Sequence, residues 1–284
     1  MRRKRQHGWL AALPMALFTL VFVAVPLGYI LVLSFLTRDV TWGVTGELTA
    51  GNYQKMLTPS YIKTFTDSLR LAFATTAITA ALGYPFGYFM ARLSKKWQNV
   101  VLLLVVVPFW TNALVRIYGW IIILRTQGLL NMALVQMGLI SEPMKILYTY
   151  GSVLVGMVYA LLPFMILPVY TSVEKLDWSV VEAARDLGAG RIRAFFTVTL
   201  RLTLPGLLSG FVLTFVPSIG LFFIADLLGG GKIMLVGNLI KDQLLNARDW
   251  PFGAALSVVM MALTLLIVWL YRRITHTKDL EGIV

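Results

Sequence analysis

An acidic residue beside two aromatic residues is the clearest candidate for ligand-binding chemistry in this chain. Asp226 follows Phe222 and Phe223 near the end of a long apolar segment. A carboxylate at membrane depth is costly and often functional, and aromatic faces attract cations. The pattern therefore favours a site for a cationic ligand. The alternatives are a carboxylate that simply emerges into water at the outer surface, or one that pairs with Lys232.

A second candidate lies where a proline interrupts another apolar segment. Trp110 and Asn112 follow Pro108, with Arg116 close behind. Proline cannot donate a backbone hydrogen bond, and such breaks at membrane depth are tolerated where they line a cavity. The sequence predicts a broken helix in which Trp110 lines a passage. The alternative is that Trp110 belongs to the aromatic belt at the membrane interface.

Side chains suited to catalysis are missing from the apolar segments. The chain has no cysteine, and its two histidines, His7 and His276, lie near the ends. Paired carboxylates are also absent from these segments, so we expect neither a catalytic site nor a metal site. The run 229–232 (Gly-Gly-Gly-Lys) lacks the spacing and the Ser/Thr of a phosphate-binding loop, and a glycine-rich turn is expected there. The chain itself is expected to bind no cofactor.

Long apolar spans must position these candidates. The chain has 284 residues and is 58% hydrophobic, above the roughly 45–50% of ordinary globular domains. It is therefore predicted to be an all-α integral membrane protein. Six spans are each long enough to cross a bilayer: about 9–36, 66–91, 100–124, 149–172, 203–227 and 253–272. The basic residues that give the net charge of +12 lie in short segments beside these spans. This placement fits control of topology and not nucleic-acid binding.

The charges of the connecting segments predict the orientation. With the amino terminus in the cytoplasm, fifteen Lys and Arg residues fall on the cytoplasmic side and nine on the outer side. The positive-inside rule then places both termini in the cytoplasm. Residues 37–65, 125–148 and 228–252 become external, and we expect short surface helices in them.

The first span follows a basic segment, Arg2–Arg5, and superficially resembles a secretory signal. Its apolar run is longer than the roughly 7–15 residues of a signal-peptide core. We expect a retained transmembrane helix, kinked at Pro14 or Pro26. A cleaved signal is the alternative.

A short charged segment lies between the fourth and fifth spans. Asp177 can cap a helix start, Gly188 can end the helix in the left-handed conformation, and Val180, Ala184 and Leu187 fall on one face. The segment is interpreted as a contact surface or as a solvated loop helix. Spacing alone does not separate the two.

Within the spans, two glycine pairs have a spacing of four residues, which lets helices approach closely in lipid. They are Gly83 with Gly87, and Gly206 with Gly210.

The charged segment resembles the EAA loop of ATP-binding-cassette (ABC) importer permeases, because Glu182-Ala183-Ala184 is followed three residues later by Gly188. The family pattern ends in Ile-x-Leu-Pro, where this chain has residues 198–201 with Arg201 in place of the proline. A longer set of segments, spread from the first span to the last, is similar to the PotB-type permeases of spermidine/putrescine importers. These segments are 107–112, 116–119, 162–165, 174–177, 182–189 and 248–255.

The resemblance implies a type I importer permease (MetI-like) fold, with residues 1–284 forming a single transmembrane permease domain in the bacterial inner membrane. It implies a cytoplasmic coupling loop over about 174–200 that docks on a separate ATPase, where ATP and Mg are used. The implied coupling residues are Glu182, Ala183, Ala184, Arg185, Asp186 and Gly188. The implied partners are a second homologous permease, two copies of the ATPase, a periplasmic polyamine-binding protein, the polyamine substrate and membrane lipid.

The predicted function is translocation of spermidine or putrescine, with a substrate path at Trp110, Asn112, Phe222, Phe223 and Asp226. Three alternatives remain: the same architecture carrying another small solute, an ATP-independent secondary transporter, and a membrane-embedded enzyme. A secondary transporter would need ion-coupling sites at mid-membrane. A membrane-embedded enzyme would need paired acids, histidines and metal ligands in the spans.

Overall fold

The computed structural model describes residues 7–39 and 43–275. The basic segment 2–5, His276 and Lys278 lie outside the described residues. The described part consists of fourteen α-helices and one two-stranded hairpin. In chain order these are α1 (His7–Thr19), α2 (Val25–Leu33), β1 (Leu36–Arg38), β2 (Val44–Leu48), α3 (Gly51–Met56), α4 (Pro59–Ala91), α5 (Lys95–Val106), α6 (Ala113–Leu124), α7 (Leu129–Gln136), α8 (Tyr150–Glu174), α9 (Trp178–Asp186), α10 (Arg191–Ala194), α11 (Leu200–Gly220), α12 (Phe222–Gly229), α13 (Val236–Leu245) and α14 (Trp250–Thr275).

Five helical segments of the described chain are long and apolar enough to cross a membrane. They are Leu13–Leu33, Ala113–Gln136, Tyr150–Glu174, Arg191–Gly220 and Trp250–Arg273. The predicted span 66–91 is not among them, although α4 has 33 residues and extends about 50 Å. Polar residues and the Gly, Tyr and Pro residues of 83–88 lower the hydropathy of α4, whose buried face carries Ser68, Thr75, Thr76 and Thr79. Thr76 and Thr79 donate to backbone oxygens within α4.

Two of the predicted spans are interrupted. The span expected over 100–124 consists of α5 and α6, which are separated by a 3₁₀ turn over Val107–Trp110. The span expected over 203–227 consists of α11 and α12, which meet at Leu221 with φ −75° and ψ 67°, outside the helical region. The first break was predicted from Pro108. The second lies four residues after Pro217, one of the span prolines expected to kink a helix or open its backbone.

Contacts divide the chain into two compact units, residues 1–63 with 239–264 and residues 64–238 with 265–284. In the first unit, α1 and α2 are joined by a π-helical turn over Leu20–Ala24. This turn directly precedes the helix that contains Pro26, so the distortion occurs near the predicted kink without breaking the helix.

The first unit also contains an element that the sequence analysis missed. Strands β1 and β2 pair antiparallel, with Thr37 opposite Thr45, in a segment where only a surface helix was expected. Further along, the Lys55 ammonium lies 3.0 Å from the Asp249 carboxylate, and that carboxylate also accepts the backbone N–H of Phe252 at the start of α14.

The second unit is built around α8, which packs directly against the backbones of its neighbours. A Cβ atom added at Gly206 of α11 would lie 2.7 Å from the carbonyl oxygen of Pro168. One added at Gly210 would lie 2.6 Å from the sulfur of Met165, and one at Gly83 of α4 would lie 2.8 Å from the Cγ of Met165. The predicted role of both glycine pairs in close helix packing is confirmed, since Gly87 also lies against the backbone of α8.

We predict that Gly206→Ala will lower the thermal unfolding midpoint of the purified protein in detergent. The added methyl group would meet the backbone of α8, and overpacking of this kind costs about 1–3 kcal/mol. Gly119→Ala is the matched control, because a Cβ there meets no described atom within 4 Å. Alanine inside a helix should leave the midpoint of that variant unchanged or slightly raised. Equal midpoints for the two variants would contradict close packing at Gly206.

Candidate functional site

The helix α9 of the charged segment begins at a side-chain cap. The Asp177 carboxylate accepts the backbone N–H of Ser179 at 3.0 Å, which satisfies a donor that the first turn leaves free. Hydrogen bonds from the Ser179 side chain and backbone lower the pKa of Asp177 below its usual value. The predicted helix start is confirmed.

The end of α9 has the hydrogen bonds of a Schellman motif. The N–H of Gly188 donates to the carbonyl of Arg185 at 2.9 Å, and that of Ala189 donates to the carbonyl of Ala184 at 3.1 Å. Gly188 has φ +91°, a conformation that glycine adopts without steric cost. The predicted left-handed stop is therefore confirmed.

The predicted coupling residues lie mostly on the open side of α9. Glu182, Ala183, Arg185, Asp186 and Gly188 are exposed, and Ala184 is half-buried.

The apolar face that the sequence predicted is not a buried face. Val180 is exposed, and Leu187 is 90% exposed, so both point away from the protein. The inner face consists of Trp178, Val181 and Ala184, which are all half-buried. These three side chains are the covered ones because neighbouring aromatic rings hold Trp178. The spacing of apolar residues did not reveal that contact. Exposed apolar groups beside charged ones are typical of an interaction surface.

Aromatic contacts fasten α9 to the rest of the second unit. The Trp178 ring meets Tyr88 of α4 edge to face at 6.1 Å, and Tyr88 meets Phe195 in the same way at 5.7 Å. The Arg92 guanidinium lies 4.9 Å from the centre of the Trp178 ring. A cleft of about 380 Å³ lies among these residues and also borders Glu182.

The aromatic cluster continues into α11. Tyr84 of α4 contacts Phe195 at 6.0 Å, and its hydroxyl lies 2.8 Å from the Thr203 hydroxyl, where both side chains are buried. Sequence reasoning missed this cluster because aromatic residues near span ends are usually interface anchors. The nearest available signal was the concentration of Tyr, Trp and Phe on both sides of the charged segment.

The break in the third span places Trp110 and Asn112 in different roles. Trp110 is 76% exposed, at the end of the 3₁₀ turn. The Asn112 side chain caps α6 by accepting the N–H of Leu114 at 2.8 Å. Nearby, the Arg116 guanidinium lies 4.9 Å from the ring centre of Phe109, which itself packs on Phe164. Asn112 is thus a structural cap, while Trp110 is open to contact.

Asp226 is held within α12 by a partner that the sequence did not suggest. The Asn238 amide donates to the Asp226 carboxylate at 2.5 Å and to the carbonyl of Phe222 at 3.0 Å. Asp226 and Phe223 are half-buried, and Phe222 is exposed. The expected alternatives were open water or Lys232, whereas this carboxylate bonds to the amide of Asn238.

The two groups of predicted path residues lie on helices that pack together. The core of the second unit joins α6 to α12 through Ile117 and Ile121 on one side and Ile224 and Leu228 on the other. Close approach of α12 to α8 is allowed by Gly156, where a Cβ would meet the side chains of Leu228 and Ile224. The path residues themselves stay a prediction.

Comparison with known proteins identifies the family. Residues 83–278 match the family described as the binding-protein-dependent transport system inner membrane component. The chain is 44% identical to the spermidine/putrescine transport system permease protein PotB of Escherichia coli K12 over 274 residues, covering 95% of this chain and 96% of the relative. It is 45% identical to the PotB protein of Haemophilus influenzae over 252 residues, covering 89% and 88%. This chain belongs to that transport family.

The permease also resembles solved structures of bacterial importers. It aligns with a chain of the alginate ABC transporter in complex with an alginate pentasaccharide-bound periplasmic protein, with a TM-score of 0.75 over 95% of each chain at 15% identity. A second crystal structure of an alginate importer gives a TM-score of 0.74. At this identity the likeness shows the fold, which is the ABC importer permease fold expected from the sequence. The permease is a multi-pass membrane protein and a transport subunit of this inner membrane family.

We predict that Gly188→Ala will loosen the end of α9. A residue with a Cβ in the left-handed conformation costs about 1–2 kcal/mol, so amide hydrogen exchange at residues 188 and 189 should accelerate about 5- to 30-fold in the intact protein. Gly190→Ala is the matched control, because Gly190 has φ −60° and a Cβ there meets no described atom within 4 Å. Equal exchange rates in both variants would show that the turn does not depend on glycine.

Proposed function

We propose that the permease is a membrane subunit of an ABC importer that carries the polyamines spermidine and putrescine into the cytoplasm. The observation that carries this proposal is the 44–45% identity, over nearly the whole chain, to relatives named as spermidine/putrescine permeases. An alignment over 95% of the chain includes both broken spans and the charged segment.

The proposed assembly contains this permease, a second homologous permease, two copies of an ABC ATPase and a periplasmic polyamine-binding protein. ATP and Mg would be used by the ATPase, and this permease would hold no cofactor. Both termini and α9 would face the cytoplasm, in keeping with the excess of basic residues on that side. The alignment with a transporter chain crystallised with its periplasmic protein supports a binding-protein partner.

Helix α9 would transmit the ATPase movement. Its exposed side carries Glu182, Ala183 and Leu187, which offer a charge, a small surface and an apolar contact to a partner. Its inner side is fixed by Trp178 to the aromatic cluster on α4, and through that cluster to Thr203 of α11. Because edge-to-face aromatic pairs and a buried hydrogen bond resist shear, displacement of α9 would move α4 and α11 with it.

The substrate path would combine few acids with aromatic surfaces. A polyamine carries several positive charges on a flexible apolar stem, so cation–π contacts at Trp110 and Phe222 would suit it. Asp226 would supply one negative charge, positioned by Asn238. A path must release its substrate as well as bind it, and a single carboxylate is consistent with passage instead of retention.

We predict that Glu182→Arg will abolish coupling. Reversal of a charge in a docked interface costs several kcal/mol, so the ATPase recovered with the affinity-purified permease should fall at least about tenfold, together with spermidine uptake. Glu142→Arg makes the same exchange at another exposed residue and should leave ATPase recovery unchanged. Normal assembly and uptake by Glu182→Arg would rule out the proposed docking site.

We predict that Asp226→Asn will reduce spermidine uptake about tenfold at low substrate concentration, because the charge is lost while an amide oxygen can still accept from Asn238. Asp242→Asn is the matched control, since Asp242 also accepts from an asparagine amide, that of Asn246 at 2.6 Å. Uptake of labelled spermidine, measured across concentrations with putrescine and amino acids as competitors, tests both the residue and the substrate class. An unchanged uptake curve for Asp226→Asn would remove this residue from the path.

A further inference from the structure

An apolar groove of about 400 Å³ lies between three helices of the second unit, away from α9 and from the path residues. Its wall is almost wholly carbon and includes Phe73 of α4, Leu208, Phe211 and Phe215 of α11, and Leu270 and Tyr271 of α14. The one polar group at its edge, the Tyr271 hydroxyl, lies 2.9 Å from the Ser209 hydroxyl. A groove with this lining suits a hydrocarbon chain.

An arginine lies on the groove-lining face of α11, beyond the groove itself. Arg201, Leu208 and Phe215 are spaced seven residues apart and therefore lie on one face of the helix. Arg201 is exposed, about 12 Å from the level of Ser209 along the helix axis. Arg201 is also the residue that stands where the EAA pattern has proline, a departure that transport and coupling leave unexplained.

Arg272 and Arg273 of α14 lie near the same end of the groove but off its face. The Arg273 guanidinium lies 5.3 Å from the centre of the Trp269 ring. Trp269 does not line the groove and projects from the opposite side of α14. Because α11 and α14 belong to consecutive spans of opposite direction, residues that precede Ser209 and residues that follow Tyr271 lie toward the same membrane surface.

We propose that this groove binds one anionic phospholipid, with an acyl chain along the apolar wall and the headgroup phosphate at Arg201. Basic residues at the end of a cleft between membrane helices are suited to anionic headgroups, and arginine pairs well with phosphate. The long side chain of Arg201 can extend from the helix to the headgroup level. A zwitterionic lipid carries the same phosphate, but its ammonium group cancels the net charge and is repelled by the arginine, so an anionic lipid is favoured.

The test compares lipids retained by the purified full-length permease. The protein is incorporated into bilayers of equal phosphatidylglycerol and phosphatidylcholine, extracted in mild detergent and analysed by native mass spectrometry. We expect selective retention of one phosphatidylglycerol, reduced about fivefold in Arg201→Gln. Arg272→Gln is the matched control: Arg272 lies roughly 150° around α14 from the groove face and should retain the lipid. Equal retention in Arg201→Gln and the unsubstituted protein would overturn the proposal.

A second measurement identifies what occupies the groove. The chain has no cysteine, so Val212→Cys places a single thiol in the groove wall. We expect cross-linking of this thiol to a maleimide-bearing phosphatidylglycerol, unaffected by millimolar inorganic phosphate. Cross-linking of the thiol to the second permease in the assembled importer, or displacement of the lipid by inorganic phosphate, would overturn the proposal. Because neither measurement depends on uptake, failure of the polyamine proposal would leave the result unchanged.

Discussion

Direct backbone contact between helices is the constraint on which the second unit depends. Inside a bilayer, lipid tails are as apolar as leucine side chains, so helices gain little from burying apolar area and must gain from close packing. In this permease Gly206 and Gly87 lie against backbone atoms of α8, and the fully buried Met165 of α8 lies against both Gly83 and Gly210. A side chain larger than hydrogen at Gly83 or Gly210 would separate α8 from its neighbour.

This packing makes α8 the common support of helices with different roles. Its middle holds α4 and α11, while its N-terminal part meets α12 where Gly156 leaves room for Leu228. The end of α8 carries an exposed ion pair, in which Glu174 lies 2.6 Å from Lys95 at the start of α5. The helix that carries Asp226, α12, and the helices that hold α9, α4 and α11, are therefore attached to one rigid element at different positions along its length.

The sequence was sufficient for features that arise from local chemistry. Asp177 and Gly188 marked the ends of α9 because capping and left-handed turns depend on single residues, and Pro108 marked a helix break for the same reason. Glycine spacing identified the packing faces of α4 and α11. Spacing alone did not separate a contact surface from a solvated loop helix in the charged segment; the family resemblance predicts a docking surface there, and that role stays a prediction.

Features that depend on distant partners were beyond sequence reasoning. The Asp226–Asn238 bond joins residues twelve positions apart across a turn, and no local pattern pairs them. The inner face of α9 was not predicted, because Trp178 is held by Tyr88 of a helix about ninety positions earlier. The hairpin at Thr37 and Thr45 was missed because its strands are too short to show a clear alternation.

The interruption at Leu221 has an energetic consequence for any movement of the fifth span. Bending a continuous helix strains many hydrogen bonds together, whereas Leu221 already lies outside the helical region, so rotation there is confined to a single pair of dihedral angles. Gly206 and Gly210 hold α11 against α8, and Gly156 holds α12 against the same helix. A change of angle at this joint therefore requires one of these two contacts with α8 to shift, while the helices on either side can keep their hydrogen bonds.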